Sequence, residues 1–223
     1  MNKLMNQTII LASNSPRRRQ LLSLMVDSFR VQPSDVDETF LPQETPQEYV
    51  LRVAEEKARA IGGRVNGEFV IIAADTTVMD GDEILGKPAN AEEAEQTLRR
   101  LRNRTHQVLT GLVVFRPADG YMASELVVTD VPMRNYSDQE IEQYIATGDP
   151  FDKAGAYAIQ NEDFHPVSDL DGCFANVMGF PVCHLMLLLK QFGIVVSKEC
   201  PLECQKTLAY ACPIFQVVLA KND

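Results

Sequence analysis

The chain has 223 residues, 45% of them hydrophobic and 23% charged, with a formal net charge of −10. It is long enough for one large α/β domain or two small lobes, and its acidic balance argues against a general binder of nucleic-acid polymers, which needs a basic face. No apolar run is long enough to predict a transmembrane helix, residues 1–7 lack the apolar core of a signal peptide, and five cysteines read as reduced thiols of a cytoplasmic protein.

In chain order, residues 8–12 read as a buried strand and 16–25 as a helix. Ser15 is its N-cap and Pro16 its first residue. Arg17, Arg18 and Arg19 then stand at the positive end of the helix dipole, where each exposed cation costs roughly 0.3–1 kcal/mol. They are either solvated side chains on a frayed turn or part of an anion site built with free backbone N–H groups. Residues 29–32 form a short strand, and the acidic loop 34–38 follows. Thr45-Pro46-Gln47-Glu48 is a capping box that opens a helix to Ile61, ended by Gly62-Gly63. Its apolar stripe is Val50, Val53, Ala54, Ala58 and Ile61. Lys57 falls on that stripe and must snorkel or meet an anion.

The run 69–74 reads as a central strand buried on both faces, ending at Asp75. A buried carboxylate is costly unless paired or metal-bound, and ligands of α/β sheets gather at strand ends. Asp80-Gly81 predicts a hairpin, which lets Asp75 and Lys87 on its two arms converge. Asn90 caps a helix with the stripe Ala91, Ala94, Leu98 and Leu101. Strands at 106–115 and 121–133 form an antiparallel hairpin, so the sheet is mixed. Ser137-Asp138-Gln139-Glu140 caps a helix to Thr147. Residues 149–160 are mostly loop leading into a short strand, and Pro181 opens an apolar helix over 182–192. In the tail, Cys200, Cys204 and Cys212 suggest a zinc site, but no fourth ligand lies nearby in sequence.

Basic groups for phosphates, with carboxylates that lack His or Cys companions, suggest a Mg²⁺–triphosphate site. No Walker A motif, G-x-G-x-x-G or kinase signature is present. Spacing alone therefore supports a protein that binds a phosphorylated small molecule and leaves its hydrolysis open.

Seven short motifs carry a resemblance. They are residues 11–18 (LASNSPRR), Asp37-Glu38, Glu56-Lys57-Ala58, Ala74-Asp75-Thr76, Gly86-Lys87-Pro88, residues 152–160 (DKAGAYAIQ) and residues 176–181 (NVMGFP). In this order they resemble the Maf family of nucleoside triphosphate pyrophosphatases, over about residues 8–193. The resemblance implies a mixed twisted α/β sheet with flanking helices and two lobes around a central cleft. It implies cleavage of a nucleoside triphosphate to the monophosphate and pyrophosphate with Mg²⁺ or Mn²⁺, as house-cleaning of nucleotide pools. The pattern at Lys153 and Gln160 is similar to the branch that prefers dTTP and UTP.

Carried over motif by motif, the catalytic residues are Asp75, Lys57 and Lys87, with Asp75 either general base or metal carboxylate. Glu38 and Asp37 join Asp75 as metal ligands. Ser13, Ser15, Arg17, Arg18, Lys153 and Gln160 bind substrate, Gln160 either reading a pyrimidine edge or bracing its loop. Asn161 departs from the family's glycine. Residues 1–196 are expected to form the family domain and 197–223 an extension of unknown role. The expected partner is the nucleotide, with no nucleic-acid polymer or membrane and a homodimer left open. The alternatives are a broader or modified-nucleotide specificity, a phosphatase releasing orthophosphate, and a nucleotide-binding regulator of cell division.

Overall fold

The computed structural model describes residues 8–220. At its centre is a six-stranded mixed sheet. Strand β1 (Thr8–Leu11) runs parallel to β2 (Arg30–Val31) and to β3 (Phe69–Asp80). Strand β4 (Glu83–Leu85) returns on the far end of β3 through the hairpin expected at Asp80-Gly81. Strand β5 (Thr105–Arg116) pairs antiparallel with β3, and β6 (Tyr121–Pro132) pairs antiparallel with β5 at the edge of the sheet.

Alternation along β3 divides the core in two. Val70, Ile72, Ala74 and Val78 enter a large core with Leu21, Leu98, Phe180 and Leu185. Ile71 and Ala73 enter a smaller one with Ala54, Ala58 and Ile61. Those last three belong to α2 (Pro46–Gly62), whose capping box forms as expected: Thr45 Oγ1 accepts from the Glu48 N–H and Glu48 accepts from the Thr45 N–H. Gly111 of β5 lets α2 lie close to the sheet, because a Cβ there would stand 2.4 Å from the Val50 carbonyl oxygen. The large core is covered by α1 (Pro16–Ser23), α3 (Ala91–Leu101), α4 (Asp138–Ala146), the short α5 (Phe174–Val177) and α6 (Val182–Gln191).

Two sequence expectations are corrected. Asp75 does not end its strand, since β3 continues to Asp80. The β5 ladder pairs with β3 from Ile71 to Met79, with Asp75 opposite Gly111, so backbone hydrogen bonds carry the strand past the carboxylate. The strand that does end there is β1, whose Leu11 lies opposite Ile72. The segment 149–160 does not lead into a strand either. It forms 3-10 turns at Asp149–Asp152 and Ala154–Ala156. Beyond them the Ala158 N–H donates to the Tyr144 hydroxyl (3.0 Å) and the Asn161 N–H to the Ala158 carbonyl (3.1 Å). Side-chain and local acceptors take the bonds a ladder would have used, so Gln160 stands in a tight turn instead of at a strand end.

The segment after Val196 folds back as α7 (Cys200–Thr207) and α8 (Phe215–Leu219). Cys200 and Cys204 are buried in the large core. Among the described residues no helix is long and apolar enough to cross a membrane.

Candidate active site

Where β1 stops, the chain turns through Ala12 to Ser15 into α1 and opens a cleft of about 470 Å³. One wall comes from the β1–α1 turn, Glu38 and Lys57. The floor comes from Asp75 and Thr76 of β3. The other wall comes from Lys87, residues 152–160 and residues 177–179. Every site residue expected from sequence lines this cleft except Asp37. The Asp37 carboxylate instead accepts from the Thr39 hydroxyl (2.5 Å) and the Thr39 N–H (2.9 Å), which hold its pKa below the usual carboxylate range.

The turn is set by its serines. Ser15 caps α1 by accepting from the Arg18 N–H (3.3 Å), and Ser13 Oγ accepts from the Ser15 N–H (3.2 Å). The two arginines then part company. Arg18 donates through Nε to the Gly179 carbonyl (3.0 Å), and through its terminal nitrogens to the Ala74 carbonyl (2.7 Å) and Thr76 Oγ1 (3.1 Å). Its guanidinium ties the backbone at Gly179 to β3. Burial pushes its pKa down, and the Asp75 charge opposes that shift. Gly179 has φ of 87°, and a Cβ there would come within 2.8 Å of Thr76 Oγ1, so only glycine suits this junction. Arg17 lines the cleft from the first turn of α1.

Lys57 resolves the choice between snorkelling and an anion. Its Nζ lies 2.6 Å from Asp75 Oδ1 and 2.7 Å from Glu38 Oε1. Lys57 and Asp75 are buried, at 8% and 6% exposure, while the Glu38 side chain is half exposed. The buried charges are thus paired, as the cost of isolating them requires. Lys57 takes one oxygen of each carboxylate. Two carboxylates with hard oxygen donors in a cleft lined with cations suit Mg²⁺ or Mn²⁺, which are commonly held by one or two carboxylates plus substrate phosphates. Among the described residues no cluster of three or more His, Cys, Asp or Glu side chains is arranged to hold a metal ion.

On the opposite wall Lys153 is buried, with Nζ 2.6 Å from the Asp149 carbonyl, 2.8 Å from Asp149 Oδ1 and 2.5 Å from Asp152 Oδ1. The Gly155 N–H donates to the Gly86 carbonyl (3.1 Å), which ties this segment to the one bearing Lys87. Gln160 is exposed at the cleft. Its turn is braced by residues that sequence reasoning did not single out for this role. Tyr144 and Asn161 both donate to Asp149 Oδ2, at 2.7 and 3.2 Å, and Asn161 Oδ1 accepts from the Phe164 N–H (2.8 Å). Thr76 and Gly179 stand within the motifs at 74–76 and 176–181, but sequence reasoning gave them no role in the cleft.

A mixed α/β sheet that ends one strand at a cleft of paired lysines, carboxylates and a helix N-terminus defines a protein built to handle a phosphorylated small molecule. The Maf-like protein family model matches residues 8–192, and the chain belongs to that family. It is 45% identical over 195 residues to a dTTP/UTP pyrophosphatase of Anaeromyxobacter dehalogenans, covering 86% of this chain and 98% of that one. A dTTP/UTP pyrophosphatase of Thermomicrobium roseum is 41% identical over 212 residues, 93% of this chain and 94% of its own. Among solved structures, the Staphylococcus aureus Ham1 protein overlays 58% of this chain and 73% of its own, with TM-score 0.40 and 18% identity.

Proposed function

We propose that this protein hydrolyses nucleoside triphosphates between the α and β phosphates, releases the monophosphate and pyrophosphate, and prefers dTTP and UTP. The observation that carries the reading is the Lys57–Asp75–Glu38 cluster, which joins one wall to the floor of a cleft lined with cations. Family membership and the names of the relatives agree with it.

The Arg17 side chain and its backbone N–H, with the Ser13 and Ser15 hydroxyls, hold the triphosphate chain at the N-terminus of α1. Lys87 and Lys153 flank it from the other wall. Arg18 shapes the floor through its bonds to the protein instead of clamping phosphate. A water attacks the α-phosphorus as the bond to the β-phosphate oxygen breaks. Asp75 accepts the water's proton, and Lys57 and Lys87 balance the charge that grows on the phosphate oxygens. Asp75 and Glu38 would hold the divalent cation, which when bound neutralises phosphate charge and polarises the reacting oxygens. Gln160, exposed in its braced turn, offers one donor and one acceptor to a 4-oxo pyrimidine edge.

The deciding experiment incubates the protein and Mg²⁺ with dTTP, UTP, CTP, GTP, ATP and 7-methyl-GTP, and identifies products chromatographically. Pyrophosphate and the monophosphate, fastest from dTTP and UTP, are expected, with activity lost in excess EDTA. Orthophosphate as sole product, or a higher rate on 7-methyl-GTP, overturns the reading. Gln160→Ala should flatten the UTP-to-GTP ratio of kcat/KM more than it lowers the best rate; an unchanged ratio removes Gln160 from base recognition.

A further inference from the structure

The wall that carries Gln160 hangs from one carboxylate. Helix α4 ends at Ala146, Gly148 turns the chain with φ of 77°, and Asp149 follows at the start of the 3-10 turn. Its two oxygens serve different partners. Oδ1 accepts from Lys153 Nζ at 2.8 Å, whereas Oδ2 accepts from the Tyr144 hydroxyl at 2.7 Å and the Asn161 amide at 3.2 Å. An ammonium has three donors, and those of Lys153 go to the Asp149 carbonyl, Asp149 Oδ1 and Asp152 Oδ1, so this cation is spent within the wall.

The two donors to Oδ2 stand at the two ends of the Gln160 turn. The Tyr144 hydroxyl also accepts from the Ala158 N–H at 3.0 Å, and Asn161 Oδ1 accepts from the Phe164 N–H at 2.8 Å. The Tyr144 and Phe164 rings stack with centroids 4.2 Å apart, so the tethers close on themselves around residues 158–161. Gln160 alone of this group is exposed at the cleft, and neither Asp149, Tyr144 nor Asn161 lines it.

We infer, on the reading that Gln160 meets the base, that Asp149 is the positioning residue of base selection: it fixes both ends of the turn and so the distance at which the carboxamide is presented. Hydrogen-bond pattern alone does not give a carboxamide the needed choice. Uracil and thymine present a carbonyl oxygen beside a ring N–H, and guanine presents the same pair, a carbonyl oxygen beside a ring N–H. What differs is reach, because the fused second ring of a purine carries that edge farther from the sugar. A turn held at both ends sets the carboxamide at one reach, and a loose turn gives way to the longer base. Cytosine is a different case. It reverses donor and acceptor at the same reach, so its rejection depends on how the Gln160 amide is oriented, and Asp149 makes no bond to that amide.

The test measures kcat and KM for UTP, CTP and GTP in wild type, Asp149→Ala, Gln160→Ala and the double variant. Asp149→Ala should lower the UTP-to-GTP ratio of kcat/KM about tenfold, the worth of one displaced hydrogen bond. The UTP-to-CTP ratio should fall less, and kcat at saturating UTP should change by no more than about threefold, because the Lys57–Asp75–Glu38 cluster lies on other walls of the cleft. In the Gln160→Ala background the Asp149 substitution should leave the UTP-to-GTP ratio within about twofold, since two residues acting as one unit do not add. Tyr144→Phe keeps the stacked ring and removes only the hydroxyl. It should lower the UTP-to-GTP ratio in the same direction with an unchanged unfolding midpoint, and it carries the test if Asp149→Ala does not fold. An unchanged ratio in Gln160→Ala overturns the base-reading role and the inference with it. A ratio that falls in Gln160→Ala but holds in both Asp149→Ala and Tyr144→Phe overturns the inference alone. So does an additive fall in the double variant, or an equal fall against CTP.

Discussion

At the scale of single residues, the Lys57 ammonium is the pivot, because it pairs with two carboxylates that would otherwise repel. Its stem lies on the buried stripe of α2, but the head is not a snorkelling group. Lys57→Met therefore removes a buried partner of Asp75 and should cost stability as well as turnover, about 3–5 kcal/mol for a broken buried pair. Adding Asp75→Leu should recover most of that stability in urea denaturation and none of the activity. If the double variant is no more stable than Lys57→Met, the pair is not the source of the loss. Asp75→Asn keeps shape and removes charge, so it should lower kcat by about 10²–10⁴-fold, the worth of a general base, with an unchanged far-ultraviolet spectrum. A variant that retains more than about a tenth of the wild-type rate would place the proton acceptor elsewhere.

At the scale of elements, α2 was legible almost completely in the sequence. Its capping box, its stripe and its terminating glycines are all local features, and Lys57 was conspicuous because it interrupted the stripe. What made that lysine useful was not local. Gly111 lies in β5, far from α2 in sequence, and its missing side chain lets the helix settle on the sheet above Asp75. Gly111→Ala should force the helix outward and destabilise the fold by about 1–3 kcal/mol, the usual cost of overpacking. It should also lower kcat, because Lys57 moves with α2. Denaturant midpoints and turnover measured on one preparation check both, and unchanged stability would mean that the helix is not held as tightly as the contact implies. The 149–160 segment misled sequence reading because the Ala158 N–H is taken by the Tyr144 hydroxyl and the Ala158 carbonyl by the Asn161 N–H, partners that no periodicity reveals.

At the scale of the whole molecule, a buried histidine links stability to pH. His106 of β5 bonds through Nε2 to the Tyr157 hydroxyl (2.8 Å), and burial pushes its pKa down to about 4 against only weak support from Asp80. The unfolded chain takes up this proton near pH 6.5 and the folded chain does not until about pH 4. Stability from this group is therefore complete above about pH 6.5 and is lost as the pH falls toward 4, on the order of 2–3 kcal/mol. Unfolding midpoints of wild type and His106→Gln measured across that range should converge as the pH falls. Parallel curves would show that another group carries the acid sensitivity.

The sequence by itself determined what is written locally: the helix caps, the amphipathic stripes, the apolar runs of a mixed sheet, and motifs specific enough to point to one family and most of its cleft. It also marked Lys57 and Asp75 as charges in places where charge is expensive. Tertiary structure decided how those charges are spent. Only the folded chain puts Arg18 among the carbonyls of Ala74 and Gly179 and turns Asp37 away onto Thr39. The physical reason is the range of the interactions. Propensity and capping act within a few residues, whereas pairing a buried charge or satisfying a guanidinium draws on whichever groups the sheet and its crossovers bring within hydrogen-bonding distance.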